Sequence, residues 1–226
     1  MARFTRIQTV LTMERTGVVP VFYHPDAETC FKVVQACYKG GLRVFEFTNR
    51  GDYAHEVFSA LNKRVGKELP EMILGTGSVM DAGTASLYIQ LGSNFIISPV
   101  LKEDMAIVCN RRKVLWSPGC GSLTEISRAE ELGAEIVKIF PASQVGGPEF
   151  IKAIKGPMPW TSIMPTGGVT PDEANLRGWF SAGASCVGMG SQLISKDIIS
   201  NNDFALLETR AKQVLDSVKK IRDSIS

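Results

Sequence analysis

The chain has 226 residues, of which 44% are hydrophobic and 21% are charged, and its formal net charge is +2. These values are ordinary for a soluble globular protein, and no run of basic residues marks a surface for nucleic acid or membranes. No segment approaches the roughly 18 consecutive apolar residues of a membrane span, and the N-terminus lacks the form of a signal peptide. We therefore expect a cytoplasmic protein whose partner is a small molecule, with no nucleic acid and no membrane involved.

The cysteines are scattered, without a C-x-x-C pair and without a histidine cluster beside them. This pattern argues against a disulfide framework and a structural zinc site, so we expect no metal and a reducing environment. The five positions are Cys30, Cys37, Cys109, Cys120 and Cys186.

Short apolar runs typical of strands alternate along the chain with segments of helical spacing. Eight such units predict an α/β fold, a single (β/α)8 TIM barrel over residues 1–226, with an open doubly wound sheet as the alternative. Residues 1–17 form an N-terminal segment, and a closing helix is expected over about 203–224. In chain order the runs are VVPVFY, RVFEFT, MILGTG, NFIISP, VLWSPG, EIVKIF, SIMPTGG and SCVGMG.

Several helix ends are marked in the sequence. The strings SLTE (122–125) and TPDE (170–173) both fit a capping box, the second with proline at the first helical position. Four glycines each stand between a helical segment and a strand, where a left-handed helix cap is expected. They are Gly41, Gly92, Gly133 and Gly183.

Aligning the four segments on these glycines brings Glu46, Ile97, Lys138 and Gly188 to the same position, the sixth. Alternate strands of an eight-stranded barrel contribute the four inward side chains of one layer. We therefore expect Glu46 and Lys138 to meet inside the barrel near the carboxyl ends of the strands. Gly188 contributes no side chain, which is expected to leave room for a ligand.

Lys138 stands between Val137 and Ile139 on an apolar strand, where an ammonium is costly to bury. Desolvation lowers the pKa of a lysine, and the neutral amine can attack a ketone to form a Schiff base, as in class I aldolases. Glu46 is then the general acid and base, because neither histidine lies obviously inside. The alternative is a buried ion pair that only fixes the interior.

The ends of other strands carry groups that bind anions. Arg50 follows the second strand and Ser78 the third, where together they could hold a substrate carboxylate; a surface arginine and a plain turn are the alternatives. The strings PTGG (165–168) and GMGS (188–191) follow the last two strands, the usual phosphate site of barrels. Cys120 has no histidine partner and is interpreted as a packing residue.

Several segments resemble those of the 2-keto-3-deoxy-6-phosphogluconate (KDPG) aldolase family, members of which often also cleave 4-hydroxy-2-oxoglutarate (KHG). They run from about Val18 to Ile194 and include GLRVFEFTNRG, GTGSVMDAG, NFIISPV, SPGCGSLTEISRAEELGAEIVKIFPAS, MPTGGVTPDEA and GASCVGMGSQLI. The resemblance implies an α/β barrel, usually a homotrimer, that needs no metal or organic cofactor and splits its phosphorylated keto acid into pyruvate and glyceraldehyde 3-phosphate.

The resemblance also implies roles for individual residues. Lys138 corresponds to the Schiff-base lysine and Glu46 to the proton-transferring carboxylate. The residues implied around the pyruvate-derived part are Arg50, Ser78 and Pro99, and those implied near the phosphate are Thr166, Gly167, Gly168, Gly190 and Ser191.

The chain departs from the family pattern at Asn49, Gly51, Ser78 and Val100. Ser78 keeps the hydroxyl of the usual threonine, whereas the other three could reshape the mouth of the site. The departures leave open which 2-keto-4-hydroxy acid is preferred. They also leave open a non-catalytic barrel that binds sugar phosphates, or another phosphate-binding barrel enzyme.

Overall fold

The computed structural model describes residues 2–225, in which strands and helices alternate along the chain as predicted. The strands are β1 (Val18–Phe22), β2 (Val44–Thr48), β3 (Ile73–Gly77), β4 (Phe95–Ile97), β5 (Leu115–Ser117), β6 (Gly119–Cys120), β7 (Val137–Ile139), β8 (Ile163–Pro165) and β9 (Val187–Met189). The helices are α1 (Arg6–Thr16), α2 (Ala27–Lys39), α3 (Ala54–Glu68), α4 (Ala82–Gln90), α5 (Glu103–Arg112), α6 (Leu123–Glu131), α7 (Gly147–Lys155), α8 (Glu173–Ser181), α9 (Lys196–Ser200) and α10 (Phe204–Ile225).

The strand pairings are parallel and arrange the chain as an α/β fold with a curled sheet. Six strands follow the order β5-β4-β3-β2-β1-β9, and three follow the order β6-β7-β8. An isolated parallel bridge joins Thr166, just after β8, to Gly188 of β9. Parallel strands place their carboxyl ends at one edge, so the loops that follow them are brought together there.

The predicted fifth strand is divided into two short strands at Pro118. β5 pairs with β4, whereas β6 pairs with β7, so this single run contributes to both sets of strands. Proline has no amide hydrogen to donate to a ladder, which explains the interruption. The Pro118 carbonyl still accepts a hydrogen bond from the Lys138 amide at 3.0 Å.

The glycine caps are confirmed, and one of the two helix starts was misplaced. The four glycines have φ between 86° and 101°, the left-handed conformation expected after a helix. Ser122 caps α6 as predicted, accepting from the Glu125 amide. α8 begins at Glu173, three residues after Thr170, because the Asp172 carboxylate accepts from the Asn175 amide and takes the capping position.

Apolar side chains form two layers on opposite sides of the strands. The outer layer packs the helices on the sheet, and it includes the apolar face of α10, whose bounds lie within a residue of those predicted. The inner layer lies within the curl of the sheet and includes Val44, Phe95 and Ile136. Met13 of α1 joins this inner cluster, so the N-terminal helix covers the amino ends of the strands.

The sequence predicted no membrane-spanning segment. Within residues 2–225, no helix combines the length and the apolar character needed to cross a bilayer.

Candidate active site

Lys138 points into the curl of the sheet, away from the helices. It lies at the centre of β7, between Gly119 of β6 and Met164 of β8. Its neighbours Val137 and Ile139 belong to the outer layer, and successive strand residues face opposite sides of a sheet. The lysine side chain is only 6% exposed, so its amine is held in the interior.

Glu46 faces the same interior from β2, as its spacing predicted. Phe45 and Phe47 on either side of it pack in the outer layer, while Glu46 itself is 1% exposed. Its Oε1 lies 3.8 Å from the Lys138 Nζ. A side chain on Gly77 would place its Cβ 1.7 Å from the same oxygen, so glycine at that position creates the space for the carboxyl group.

Burial dominates the ionisation of this pair. Desolvation lowers the pKa of Lys138, the nearby Arg50 lowers it further, and the charge of Glu46 opposes both. Desolvation raises the pKa of Glu46, against the opposing charges of Lys138 and Arg50. Both shifts favour the neutral forms, a free amine beside a protonated carboxyl group. A free amine is the form that attacks a carbonyl carbon, and a protonated carboxyl is a general acid.

The reactive atoms have unused bonding capacity. Neither carboxyl oxygen of Glu46 has a hydrogen-bond partner among the described residues. The Lys138 Nζ lies 5.0 Å from the centre of the Phe140 ring, on the same strand face two residues farther on. A purely structural pair is normally fixed by further hydrogen bonds, so the free oxygens indicate a pair that is available to a ligand.

A cavity of about 550 Å³ opens at the carboxyl ends of the strands. Thr48 and Phe140, each two residues beyond a member of the pair, line it, whereas Glu46 and Lys138 themselves do not. Arg50 and Lys196 are the charged side chains among its lining residues, and no carboxylate of residues 2–225 lines it. The lining residues are Val21, Phe22, Tyr23, Thr48, Arg50, Phe140, Thr166, Gly167, Gly168, Val169, Gly188, Gly190, Ser191, Gln192, Ile194 and Lys196.

Arg50 and Ser78 are brought together, as the sequence predicted. The Arg50 Nε donates a hydrogen bond to the Ser78 Oγ at 3.1 Å; Arg50 lines the cavity, whereas Ser78 does not. Ser78 adopts a left-handed conformation with φ of 57°, which turns the chain directly after β3. Pro99 follows β4 and is half-buried outside the set that lines the cavity, with its carbonyl packed against Gly119.

The predicted phosphate residues all lie on one side of the cavity. Thr166, Gly167 and Gly168 follow β8, whereas Gly190 and Ser191 follow β9, and all five line the cavity wall. Gly167 and Gly168 have φ of 96° and 82°, a conformation that side chains disfavour and that helps a backbone loop to approach an anion.

The space predicted beside Gly188 is used differently from the expectation. A Cβ on Gly188 would lie 2.2 Å from the Thr166 Oγ1, so the glycine makes room for this threonine as well as lining the cavity. The Thr166 hydroxyl is buried and has no hydrogen-bond partner among the described residues. A ligand in the cavity can therefore meet a hydroxyl group at this point.

Tyr23 and Lys196 line the cavity and were missed by the sequence reasoning. Tyr23 directly follows β1, and its position at a strand end was an available signal. Lys196 follows β9 by seven residues, and its direction depends on the intervening loop. Cys120 is buried with a pKa raised to about 12 by desolvation, in agreement with its interpretation as a packing residue.

The sequence of the chain is similar to those of known proteins. A family model described as KDPG and KHG aldolase matches residues 8–209. The 2-dehydro-3-deoxy-phosphogluconate aldolase of Pseudoalteromonas atlantica is 33% identical over 88% of this chain and 89% of its own length. The KHG/KDPG aldolase of Escherichia coli is 30% identical over 95% of this chain and 97% of its own length.

The fold of the chain is similar to that of a solved structure. The KDPG aldolase of Legionella pneumophila, with pyruvate captured as a covalent carbinolamine intermediate, superposes with a TM-score of 0.82 at 26% identity, covering 91% of this chain and 97% of that one. Since the family model spans most of the chain and the interior holds a lysine and a carboxyl group at its centre, the chain belongs to the KDPG and KHG aldolase family.

Proposed function

We propose that this protein is a class I aldolase that cleaves KDPG to pyruvate and glyceraldehyde 3-phosphate, with KHG as a second substrate that yields pyruvate and glyoxylate. The observation that carries this proposal is the buried Lys138 amine 3.8 Å from the Glu46 carboxyl group, on strands whose next inward residues, Thr48 and Phe140, line an open cavity. The two flanking anion sites match the two charged ends of KDPG.

The substrate carboxylate binds Arg50 and Ser78, which brings the adjacent ketone carbon to Lys138. The neutral amine adds to that carbon, and the carbonyl oxygen takes a proton to give a carbinolamine. Loss of this hydroxyl as water, assisted by the Glu46 proton, leaves a protonated imine between Lys138 and carbon 2.

The protonated imine accepts the electrons of the bond between carbons 3 and 4. Glu46, now a carboxylate, removes the proton from the hydroxyl on carbon 4, the aldehyde departs, and an enamine remains on Lys138. Protonation of carbon 3 and addition of water at carbon 2 then release pyruvate and restore the amine. One water is lost and one is added, so the net reaction is cleavage alone.

The phosphate end of KDPG is bound by the loops after β8 and β9. Backbone amides of Gly167, Gly168 and Ser191 approach the ester, the Thr166 hydroxyl is free to donate, and Lys196 supplies a side-chain cation from the same wall. This assignment of Lys196 extends the predicted phosphate site, in which a positive charge was missing. Pro99 is assigned a packing role near the pyruvate-derived part.

We further infer that the chain forms one closed (β/α)8 barrel domain that assembles as a homotrimer in a reducing cytoplasm. Closure is supported by the β1–β9 pairing, by the Thr166–Gly188 bridge and by the continuity of β5 with β6 through Pro118.

The cysteines within residues 2–225 are buried free thiols. Exposed apolar residues supply candidate subunit contacts, namely Met80, Leu87, Ile107 and Leu123. Sedimentation equilibrium should give three times the 24.6 kDa chain mass.

The proposed reaction is tested by trapping the imine. Borohydride with pyruvate should inactivate the protein irreversibly and add one reduced pyruvyl group at Lys138, found by peptide mass spectrometry. A coupled assay should detect pyruvate released from KDPG. An adduct on another residue, or no adduct, contradicts the mechanism; trapping without pyruvate release from any 2-keto-4-hydroxy acid would instead favour a binding protein.

A further inference from the structure

Tyr23 occupies a position on the cavity wall between the two proposed anion sites. It follows β1, which lies between β2 and β9 in the sheet. Arg50 follows β2, and Ser191 follows β9, so Tyr23 separates the carboxylate end of the cavity from the phosphate end. In KDPG the carbons between these ends carry hydroxyl groups, which need hydrogen-bonding partners in a partly dry site.

The phenol of Tyr23 is held in place by the backbone after β2. A Cβ on Gly51 would lie 2.0 Å from the Tyr23 hydroxyl oxygen and 2.7 Å from the adjoining ring carbon, so the phenol rests directly on this glycine. The ring also packs edge-on against Phe47, with centroids 5.6 Å apart. Any other residue at position 51 would have to displace the phenol or move the loop.

The loop that contacts Tyr23 is also fixed by a second tyrosine. The Tyr88 hydroxyl donates to the Asn49 Oδ1 at 2.8 Å, and Tyr88 is fully buried. Asn49 and Gly51 are two of the departures from the family pattern, and the structure connects both to tyrosines. By contrast, the Tyr23 hydroxyl makes no hydrogen bond within residues 2–225, which leaves its donor free for a ligand.

We propose that Tyr23, seated on Gly51, hydrogen-bonds the hydroxylated carbons of the substrate and sets the preference between substrates that differ in configuration at carbon 4. This inference rests on the proposed aldolase function and adds a substrate-binding residue to it. The phenol is fixed by its contacts with Gly51 and Phe47, so it can favour one orientation of a hydroxyl group over its mirror arrangement. A flexible side chain at this position would discriminate less.

The test compares cleavage of the gluconate and galactonate epimers by the wild type, Tyr23→Phe and Gly51→Ala. Loss of one neutral hydrogen bond should lower kcat/KM for the favoured epimer by roughly three- to tenfold in Tyr23→Phe, with a smaller loss for the other epimer. Gly51→Ala displaces the phenol, so it should also lower the ratio of kcat/KM for the favoured epimer to kcat/KM for the other epimer. Tyr38→Phe, which alters a tyrosine bonded to Glu71 outside the cavity, should keep the wild-type ratio.

A double variant separates a direct effect from a general disturbance of the loop. In a Tyr23→Ala background there is no phenol to displace, so Gly51→Ala should leave the epimer ratio unchanged. Equal losses of kcat/KM for both epimers in Tyr23→Phe would overturn the inference. A further change of the epimer ratio when Gly51→Ala is added to Tyr23→Ala would also overturn it. Trapping of pyruvate by the wild type is measured in parallel: its absence contradicts the aldolase proposal, whereas normal trapping with an unaltered epimer ratio contradicts the role of Tyr23 alone.

Discussion

Basic side chains lie beside glutamates in two regions of this protein, and the two regions differ in chemistry. On the helical surface, Arg128 lies 2.8 Å from Glu103 and 2.7 Å from Glu131, with about half of each side chain exposed. In the interior, Lys138 lies 3.8 Å from Glu46, and both are almost fully buried. The surface pairs are closer and better bonded, but the looser interior pair is the one placed to react.

Hydration explains the difference. At the surface, the hydrogen bonds that Arg128 donates to Glu103 and Glu131 raise the pKa of Arg128, and the Arg128 guanidinium lowers the pKa of Glu103, so both remain charged. In the interior, desolvation outweighs the partner, lowering the pKa of Lys138 and raising that of Glu46. A carboxyl group and a cation therefore become an acid and a nucleophile only where water is excluded.

Replacing Lys138 should give the largest effect. Lys138→Met removes the nucleophile, so cleavage should fall by on the order of 10³-fold or more, and borohydride should no longer add pyruvate. At pH values below the raised pKa of Glu46, the melting temperature should stay near that of the wild type, because protonated Glu46 leaves no buried charge. Activity is measured by pyruvate release and stability by circular dichroism. Residual cleavage within tenfold of wild type would show that another amine forms the imine.

The stability of Lys138→Met should then depend on pH in a defined direction. The pKa of Glu46 is raised in the folded state, and loss of the Lys138 charge raises it further, so folded protein retains a proton that unfolded protein releases. Stability therefore falls as pH rises from the ordinary glutamate pKa toward the raised one. The double variant Lys138→Met/Glu46→Gln has no such group and should lack this loss; the same decline in the double variant would contradict the assignment to Glu46.

Glu46→Gln removes the proton carrier and keeps the shape of the side chain. Cleavage should fall by roughly 10²- to 10⁴-fold, the usual contribution of a general acid and base, while slow trapping of pyruvate at Lys138 continues. The matched change at the surface, Glu103→Gln, should leave the rate unchanged. Single-turnover and steady-state assays measure the cleavage rates of the two variants. Equal rates for wild type and Glu46→Gln would show that Glu46 has a structural role and takes no part in proton transfer.

Two charge changes should move the titration of Lys138 in opposite directions. Arg50 lowers the pKa of Lys138 and Glu46 raises it, so Arg50→Gln should shift the pH dependence of trapping upward and Glu46→Gln should shift it downward. In each case trapping increases with pH, since the free amine is the attacking form. Rates of pyruvate trapping between about pH 5 and 10 measure the midpoints. The absence of a shift in both variants would mean that burial alone controls the amine.

The interior pair could be predicted from the sequence because strands impose a strict alternation. Side chains at equivalent positions of alternate strands point into the same interior layer, and Glu46 and Lys138 follow this rule. Loop contacts follow no such period. The contact of Tyr23 with Gly51 depends on two loop conformations, and the direction of Lys196 depends on the chain after β9, so spacing alone did not identify them.

Local competition accounts for the other differences. Thr170 matched a capping pattern, but Asp172 lies closer to the helix and its carboxylate accepts from the Asn175 amide at 3.0 Å. Gly188 was interpreted as open space, but the side chain of Thr166 uses part of it. In both cases a nearby residue competes for the same hydrogen bond or volume, which the pattern of one segment does not reveal.

Lys196 is a third kind of cation, exposed like Arg128 but on the wall of the cavity, where no carboxylate of the described part of the chain lies beside it among the lining residues. Lys196→Ala should raise KM for phosphorylated substrates by roughly three- to tenfold, as expected for one partly screened contact with a phosphate, and should leave KHG cleavage nearly unchanged. The effect should shrink in high salt. Lys212→Ala is the matched control because Lys212 lies on α10 outside the cavity. Equal changes for KDPG and KHG would argue against a phosphate contact.

Removing the surface pairs should have the smallest effect on stability and activity. Arg128→Gln removes both contacts, yet exposed ion pairs gain little because water and salt already stabilise separate charges. We expect a melting temperature within about 2 °C of wild type and unchanged kcat/KM, with the difference in melting temperature vanishing in high salt. Thermal unfolding at low and high salt, beside the same measurement on Lys138→Met, makes the comparison direct. A large salt-independent loss in Arg128→Gln would mean that proximity, and not exclusion of water, distinguishes the two kinds of pair.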